Sequence, residues 1–290
     1  MAVGVVSPGA MGSALGASLA RSGQTVIATL ADRSARTHEL AARTPFDLRA
    51  DLTEVVAASD VVLSVVPPGN ALATARVVAA AAAQSGRQPL VVELNAISPT
   101  TLASVAAALG DAADLVDGSI SGPPPWEEGT TRLYLSGPRA REVAALGFDG
   151  VDVRVVGSEL GKASALKMST ASMYKGISLL LIHALVTARA NGTLDEVIDD
   201  LRGHFPELLS RPELPIASAA SKSGRFVAEM REIAATQAAA GLPPGVFEAI
   251  ADAYEAIAAS PAAQETPEGA AAHARLDEVL AAIAPRDRPR

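Results

Sequence analysis

The chain has 290 residues, long enough for two domains and a substantial core. Its formal net charge of −8 leaves no basic stripe to neutralise a phosphate backbone, which excludes a nucleic-acid partner, and any anionic ligand must be met by local positive groups. The absence of cysteine excludes disulfides and thiolate metal sites, and the four histidines, His38, His183, His204 and His273, stand at no ligand spacing, so no metal site is expected.

The apolar run Val3-Gly4-Val5-Val6 reads as a strand, and Ser7-Pro8-Gly9-Ala10-Met11-Gly12 follows it at once as a glycine turn into a helix. Such a turn aims several backbone N–H groups and the positive end of a helix dipole at one place, which is how a dinucleotide pyrophosphate is held. Ser7 stands where the first glycine of G-x-G-x-x-G would be, with Gly9 and Gly12 as the second and third. A turn of this kind can also serve only to pack a strand and a helix closely, so the residues that follow decide. The helix, Leu15 to Arg21, is closed by Ser22-Gly23, and Thr25 to Thr29 reads as a second strand, completing a β-α-β unit of about 30 residues. Beyond that strand Arg33, Ser34 and Arg36 form a candidate cradle for a 2′-phosphate, while Asp32 suits a free ribose hydroxyl; the balance favours NADP(H) over NAD(H). The competing reading is that Ser34 caps the next helix and both arginines are solvated.

Strand and helix signals alternate to about residue 155. Val61 to Val66 is a near-continuous β-branched run ended by Pro67-Pro68-Gly69, and an alanine-rich helix follows from Ala71 to Ala83. Leu90 to Leu94 is another strand, Pro99 to Leu109 another helix and Leu115 to Asp117 a short strand. Repeated β-α units with short connections predict an α/β fold, a Rossmann-type doubly wound parallel sheet over residues 1–156. Ligands of such sheets bind beyond the carboxyl ends of the strands, which singles out Pro67-Pro68-Gly69, Asn95-Ala96 and Gly118 to Gly122, with Val65, Val66, Pro67 and Asn95 as candidate cofactor-binding residues.

From Gly157 the signal is almost wholly helical. Ser158 can cap a helix running to about Ala190, which at ~1.5 Å per residue would exceed ~45 Å and lead into a second, all-helical domain over 157–284. Further helices are expected at Leu194 to Phe205, Pro215 to Ala240, Pro244 to Ala259 and Pro267 to Ala284, before a disordered tail, 285–290. The longest apolar run, Ile177 to Val186, is interrupted by Ser178 and His183 and falls far below the ~20 residues of a bilayer span; no basic segment precedes the N-terminal strand. A soluble cytoplasmic protein with no membrane partner is expected.

At 100° per residue Lys167 shares a helix face with Ala163, Ser164, Thr170, Ala171 and Tyr174, so small residues leave a concave surface around it. A lysine among apolar neighbours has its ammonium desolvated, which suits proton exchange with a substrate hydroxyl or carbonyl. The plainer alternative is a surface lysine on a helix whose small residues serve packing.

Taken in order, the G-x-M-G turn at Gly9-Ala10-Met11-Gly12, a strand followed by proline, the segment Asp117-Gly118-Ser119-Ile120-Ser121-Gly122 and a G-x-x-x-K helix resemble the β-hydroxyacid dehydrogenases, which include 6-phosphogluconate and 3-hydroxyisobutyrate dehydrogenases. The resemblance covers roughly residues 3 to 190, and the C-terminal helices are similar to a bacterial phosphogluconate-dehydrogenase-like subgroup with mostly unassigned substrates. It implies Lys167 as catalytic acid and base in hydride transfer between nicotinamide and a small hydroxy acid, with Ser121, Gly122 and Pro123 holding the substrate. It also implies a homodimer through the helical domain. Three departures from the pattern stand out: Ser7 replaces a glycine, Asn95-Ala96 replaces Ser-Thr, and Ala171 stands where an asparagine helps hold the substrate, a role that Tyr174 or Lys175 could share. Two alternatives remain open at this point: an imine or opine-type reductase on the same scaffold, and a dinucleotide-binding protein without turnover.

Overall fold

The short apolar runs at the centre of the sheet become strands because helices cover both of its faces there, leaving no solvent side to demand alternation. The strands are β1 (Ala2–Val5), β2 (Thr25–Thr29), β3 (Asp47–Arg49), β4 (Val61–Ser64), β5 (Leu90–Glu93), β6 (Asp114–Ser121), β7 (Thr131–Ser136) and β8 (Val151–Gly157). In the computed structural model, which describes residues 1–127, 129–266, 269 and 275–284, they lie in the order β3-β2-β1-β4-β5-β6-β7-β8. All neighbours are parallel except β6 and β7. The chain winds outward from β1 through β2 to β3, then returns to lay β4 on the other flank of β1, so the topological switch lies at the carboxyl ends of β1 and β4.

Helices α1 (Ala10–Arg21), α2 (Ala35–Ala41), α3 (Leu52–Ala57), α4 (Ala71–Ser85), α5 (Pro99–Leu109) and α6 (Ala140–Ala144) connect the strands. On one face Leu15, Leu19, Val143 and Phe148 pack against Val5, Leu63, Val92 and Leu135; on the other, Val78, Ala82, Leu102 and Val105 pack against Val62 and Val91. The chain divides into two compact units, Met1–Met168 and Ser169–Arg290, with the division inside α7 (Lys162–Ala190). The second unit continues with α8 (Leu194–His204), α9 (Glu213–Ser221), α10 (Ser223–Ala239), α11 (Gly245–Ala258) and α12 (Leu276–Ile283).

Several elements differ from the sequence reading, and β3, β7 and β8 were not among its strands. Strand β6 runs on to Ser121, because Gly118 lets Leu94 approach where any Cβ would lie 2.5 Å from Leu94 Cδ2. Helix α7 starts at Lys162 and not behind Ser158, since Gly161 has φ +93°, outside right-handed helix space, and another residue supplies the cap. The stretch Pro215 to Ala240 is two helices, α9 and α10. Around the break Ser221 and Ser223 hydroxyls donate to the carbonyls of Ser218 and Ala220 (3.2 and 2.7 Å). Of the helix expected over Pro267 to Ala284, α12 is present, while 267, 268 and 270–274, like the tail 285–290, lie outside the described residues. By length and composition α7 could also cross a membrane, a test that core helices pass as well.

Candidate functional site

Helix α1 begins directly at the glycine turn, five residues before the periodic signal suggested. Gly9 is its N-cap and supplies no side-chain cap, so the first N–H groups of α1 face the carboxyl edge of the sheet without one. Gly12 is demanded by packing: a Cβ there would lie 2.0 Å from the Ser7 carbonyl oxygen. Gly9 is not, because a Cβ there meets nothing within 4 Å and its φ of −73° is open to any residue. The space beside Gly9 is therefore clear, next to a helix N-terminus that attracts an anion. Ser7, Gly9, Ala10 and Met11 are partly exposed around that space, whereas Pro8 is buried and its carbonyl accepts the Ser13 hydroxyl at 2.6 Å.

At the end of β2, Asp32 adopts a left-handed backbone (φ +56°), turning the chain so that Arg33 folds back over the end of β1. Arg33 Nη2 donates to the Val6 carbonyl at 3.0 Å, and its Nε is buried without a hydrogen-bond partner among the described residues. An orphaned guanidinium donor beside an open glycine turn fits a ligand phosphate. Ser34 caps α2, accepting from the Thr37 N–H at 3.3 Å, as the competing reading held, and Arg36 lies exposed on that helix.

On the other side of the switch, Val65 and Val66 are half-buried and Pro67 is exposed. The Asn95 side chain, by contrast, is buried: its Oδ1 accepts from the Val66 N–H at 2.6 Å and its Nδ2 donates to Ser64 Oγ at 3.1 Å. Asn95 thus clasps the ends of β4 and β5 together, and its side-chain amide is spent on that clasp. Beneath it, Glu93 accepts from the Asn95 N–H at 2.9 Å. Burial, reinforced by Asp117, pushes the Glu93 carboxyl up to about 7 against the hydrogen bonds of Asn95 and Ser64.

The substrate segment is organised by Asp117. Its Oδ2 accepts the N–H groups of Gly161, Ala163 and Ser164, each at 3.0 Å, and the Ser136 hydroxyl at 2.8 Å; its Oδ1 accepts the Ser164 hydroxyl at 2.6 Å. This buried carboxylate is the cap that α7 lacks in its own sequence, and it complements the positive end of the helix. Ser119 adds a bond from its hydroxyl to the Ala163 carbonyl (2.9 Å), fixing the helix against β6. One turn further along, Lys167 Nζ donates to the Ile120 carbonyl at 2.7 Å, at the carboxyl end of β6. Ser121 and the loop after it follow immediately. Gly122 has φ +118°, and a Cβ there would lie 2.3 Å from the Thr130 carbonyl oxygen; the Pro123 carbonyl accepts the Thr131 hydroxyl at 2.6 Å. The Arg43 guanidinium stacks over the Trp126 ring in the same loop, 3.9 Å from its centroid.

Lys167, Ser121, Gly122 and the glycine turn thus share one sheet edge within Met1–Met168. The residues of the second unit behave differently. Ala171 is buried and Tyr174 is 71% exposed. Lys175 forms an ion pair with Glu229, lies 4.5 Å from the Phe226 ring centroid, and its carbonyl accepts the Tyr254 hydroxyl. Its charge is met by Glu229, so the conjectured anion contact by Lys175 has no support in this geometry. Sequence reasoning passed over Asp117 as a cap, Glu93 and Ser136; for the two acids the available signal was their place in the apolar runs Leu90 to Leu94 and Leu115 to Asp117.

The fold and this edge define a Rossmann-like α/β protein extended by a helical unit. Residues 1–112 match the family model of the Rossmann-like domain and residues 188–257 match DUF1932, a domain of unknown function. An uncharacterized 28.5 kDa protein of Methanothermus fervidus is 28% identical over 171 residues, 58% of this chain and 64% of that protein, less than two thirds of the relative's length. A solved conserved protein of unknown function, described as structurally similar to 3-hydroxyacid dehydrogenases, is 27% identical over 89% of this chain and 98% of its own (TM-score 0.65). Mycobacterium tuberculosis 3-hydroxyisobutyrate dehydrogenase, solved with L-serine, is 20% identical over 93% and 98% of the two chains (TM-score 0.68). A Streptomyces aurantiacus imine reductase is 19% identical over 93% and 98% (TM-score 0.52). The last two likenesses concern the fold. The chain accordingly joins a Rossmann-like domain to a DUF1932 domain on the fold of the β-hydroxyacid dehydrogenases.

Proposed function

We propose that the protein is a nicotinamide-dependent oxidoreductase acting on a small hydroxy acid or a related alcohol or carbonyl compound, with Lys167 as general acid and base. The observation that carries this reading is the placement of Lys167 Nζ at the Ile120 carbonyl, on the same sheet edge as a glycine turn left open at Gly9. The residues present fit a dinucleotide. The N-terminus of α1 would take the pyrophosphate, Arg33 with its orphaned Nε a 2′-phosphate, and Val65, Val66 and Pro67 the nicotinamide half. Arg33 is why we favour NADP(H) over NAD(H).

The bound cofactor supplies or accepts a hydride at its nicotinamide ring, and the protein supplies placement and proton transfer. In the oxidative direction neutral Lys167 takes the proton of the substrate hydroxyl; in the reductive direction its ammonium returns a proton to the carbonyl oxygen. The Ser121 hydroxyl and the Gly122 N–H would hold the substrate carboxylate, while Pro123 has no donor and its carbonyl is already engaged by Thr131. We also propose a cytoplasmic homodimer. The support is a line of exposed apolar side chains on α7, Met173, Ile177 and Leu180, at i, i+4 and i+7.

A fluorescence titration with NADPH and with NADH tests the premise, followed by a screen of hydroxy acids and imines. Lys167→Ala should lower turnover by at least ~100-fold while leaving cofactor affinity within about twofold. Failure of both dinucleotides to bind at submillimolar concentration would remove the proposal. Turnover of imines but not hydroxy acids would establish the reductase alternative, and a Lys167→Ala protein that binds and turns over as before would refute the assigned role.

A further inference from the structure

Glu93 is a buried carboxyl that the reaction above does not use. In the sheet register it lies between Ser64 of β4 and Asp117 of β6. Asp117 is the charged group acting on it, and that carboxylate is fully committed as the acceptor of five hydrogen bonds. The polar groups facing Glu93 are the Asn95 N–H, which donates to it at 2.9 Å, the Asn95 side-chain amide and the Ser64 hydroxyl, and all three bond to the carboxylate.

From there the bonds form a directed chain. With Glu93 ionised, the Ser64 hydroxyl donates to the carboxylate, and a Ser64 lone pair is left to accept from Asn95 Nδ2 at 3.1 Å. That orientation of the amide turns Asn95 Oδ1 toward the Val66 N–H, 2.6 Å away. With Glu93 protonated, the Ser64 hydroxyl and the Asn95 amide lose the charged acceptor that aligned them, and the reason for the amide orientation weakens. Val66 opens the segment that, by the topology of the sheet, would lie under the nicotinamide half of a dinucleotide.

We propose that Glu93 is a positioning residue whose protonation state, relayed through Ser64 and Asn95, sets the Val66 amide and makes dinucleotide binding pH-dependent. The inference rests on the reading of this edge as a dinucleotide site. Burial holds Glu93 near neutrality, so the relay changes state in the range where the protein would work. Ionised Glu93 corresponds to the formed clasp and protonated Glu93 to the loosened one, so affinity falls as the pH falls.

The relay is tested in the ligand-free protein by following the Val66 amide resonance in ¹⁵N–¹H spectra from about pH 5.5 to about pH 8.5. An inflection near neutrality is expected in the wild type and none in Glu93→Gln. Ser64→Ala, which keeps the carboxyl but removes one of its contacts to the amide, should shrink the inflection. A Val66 resonance that is flat in the wild type, or that titrates equally in Glu93→Gln and Ser64→Ala, overturns the proposal. In the binding arm, Kd for the reduced dinucleotide should rise about tenfold between pH 8 and pH 6 in the wild type and stay flat in Glu93→Gln. The 2′-phospho-ADP-ribose fragment, which lacks nicotinamide, should show no such rise. A fragment that follows the whole dinucleotide through the same pH change refutes the assignment to the nicotinamide half. Absence of binding by either dinucleotide counts against the proposed function, while the Val66 titration decides the relay by itself.

Discussion

Replacing Asp117 by asparagine should be among the most damaging conservative changes in the first unit. The side chain keeps its size and loses its charge, yet it faces five donors: three N–H groups of the first turn of α7 and its approach, and the hydroxyls of Ser136 and Ser164. A carboxylate can accept from all of them, whereas an amide must turn an NH2 group toward at least one. Hydrogen bonds to a charged group contribute ~1.5–3 kcal/mol and those between neutral groups about 1, so weakening four or five of them by roughly 1 kcal/mol each costs about 4 kcal/mol. Loss of the anion at the helix N-terminus adds up to ~1 kcal/mol. The total, about 5 kcal/mol, is comparable with the whole stability of many domains. Urea unfolding followed by Trp126 emission reads this directly, with the midpoint falling and the slope unchanged. A loss below ~1 kcal/mol would show that Asp117 is not what anchors α7, and the argument for the placement of Lys167 would go with it.

Three further outcomes follow from the geometry. Gly12→Ala drives a Cβ to 2.0 Å from the Ser7 carbonyl oxygen and should destabilise the first unit by ~1–3 kcal/mol or more, whereas Gly9→Ala should change stability by less than ~0.5 kcal/mol and still weaken dinucleotide binding at least tenfold; equal stability losses in thermal melts would contradict this. The native state holds the Glu93 proton up to about 7, while the unfolded chain releases it near 4.5, so this residue's contribution makes stability fall by about 3 kcal/mol as the pH rises between those values. Glu93→Gln should flatten that part of the stability profile, and an unchanged profile argues against a buried neutral carboxyl. In the helical unit Lys175→Met leaves the buried Glu229 carboxylate only its 4.0 Å contact with Arg225 and should cost ~3–5 kcal/mol, most of it recovered in Lys175→Met/Glu229→Leu; a double variant as unstable as the single one would mean that the pair itself stabilises.

What could be read from the sequence was local. The glycine turn, the β-α alternation and the start of the second strand each depend on residues within a few positions of one another, and the helix Pro99–Leu109 was bounded correctly by its own Ser98 cap and proline. The role of Asp117 was not local: its partners lie 19 to 47 positions further along the chain, so no window around Val-Asp-Gly could disclose them. For the same reason Ser158 reads locally as the cap of a helix that a distant carboxylate begins. Lys175 misled in the opposite sense. A lysine on a helix near a presumed site invites an anion, but Glu229 comes from α10, 54 residues away, and only the packed structure shows the charge already met. The break between α9 and α10 escaped because serine is tolerated inside helices, and nothing in Ser221-Lys222-Ser223 requires its hydroxyls to turn back on the backbone.

Trp126 is the only tryptophan in the chain and lies in the loop after β6, pressed against Arg43 within Met1–Met168. Its emission is therefore a private signal of the α/β unit. Far-UV circular dichroism, in contrast, receives much of its amplitude from helices α8 to α12 of the other unit. The protein thus carries two intrinsic spectroscopic channels, and a single unfolding experiment recorded in both measures how cooperatively the two units melt. Coincident transitions would mean one thermodynamic block, and separated ones would give each unit its own stability without cutting the chain.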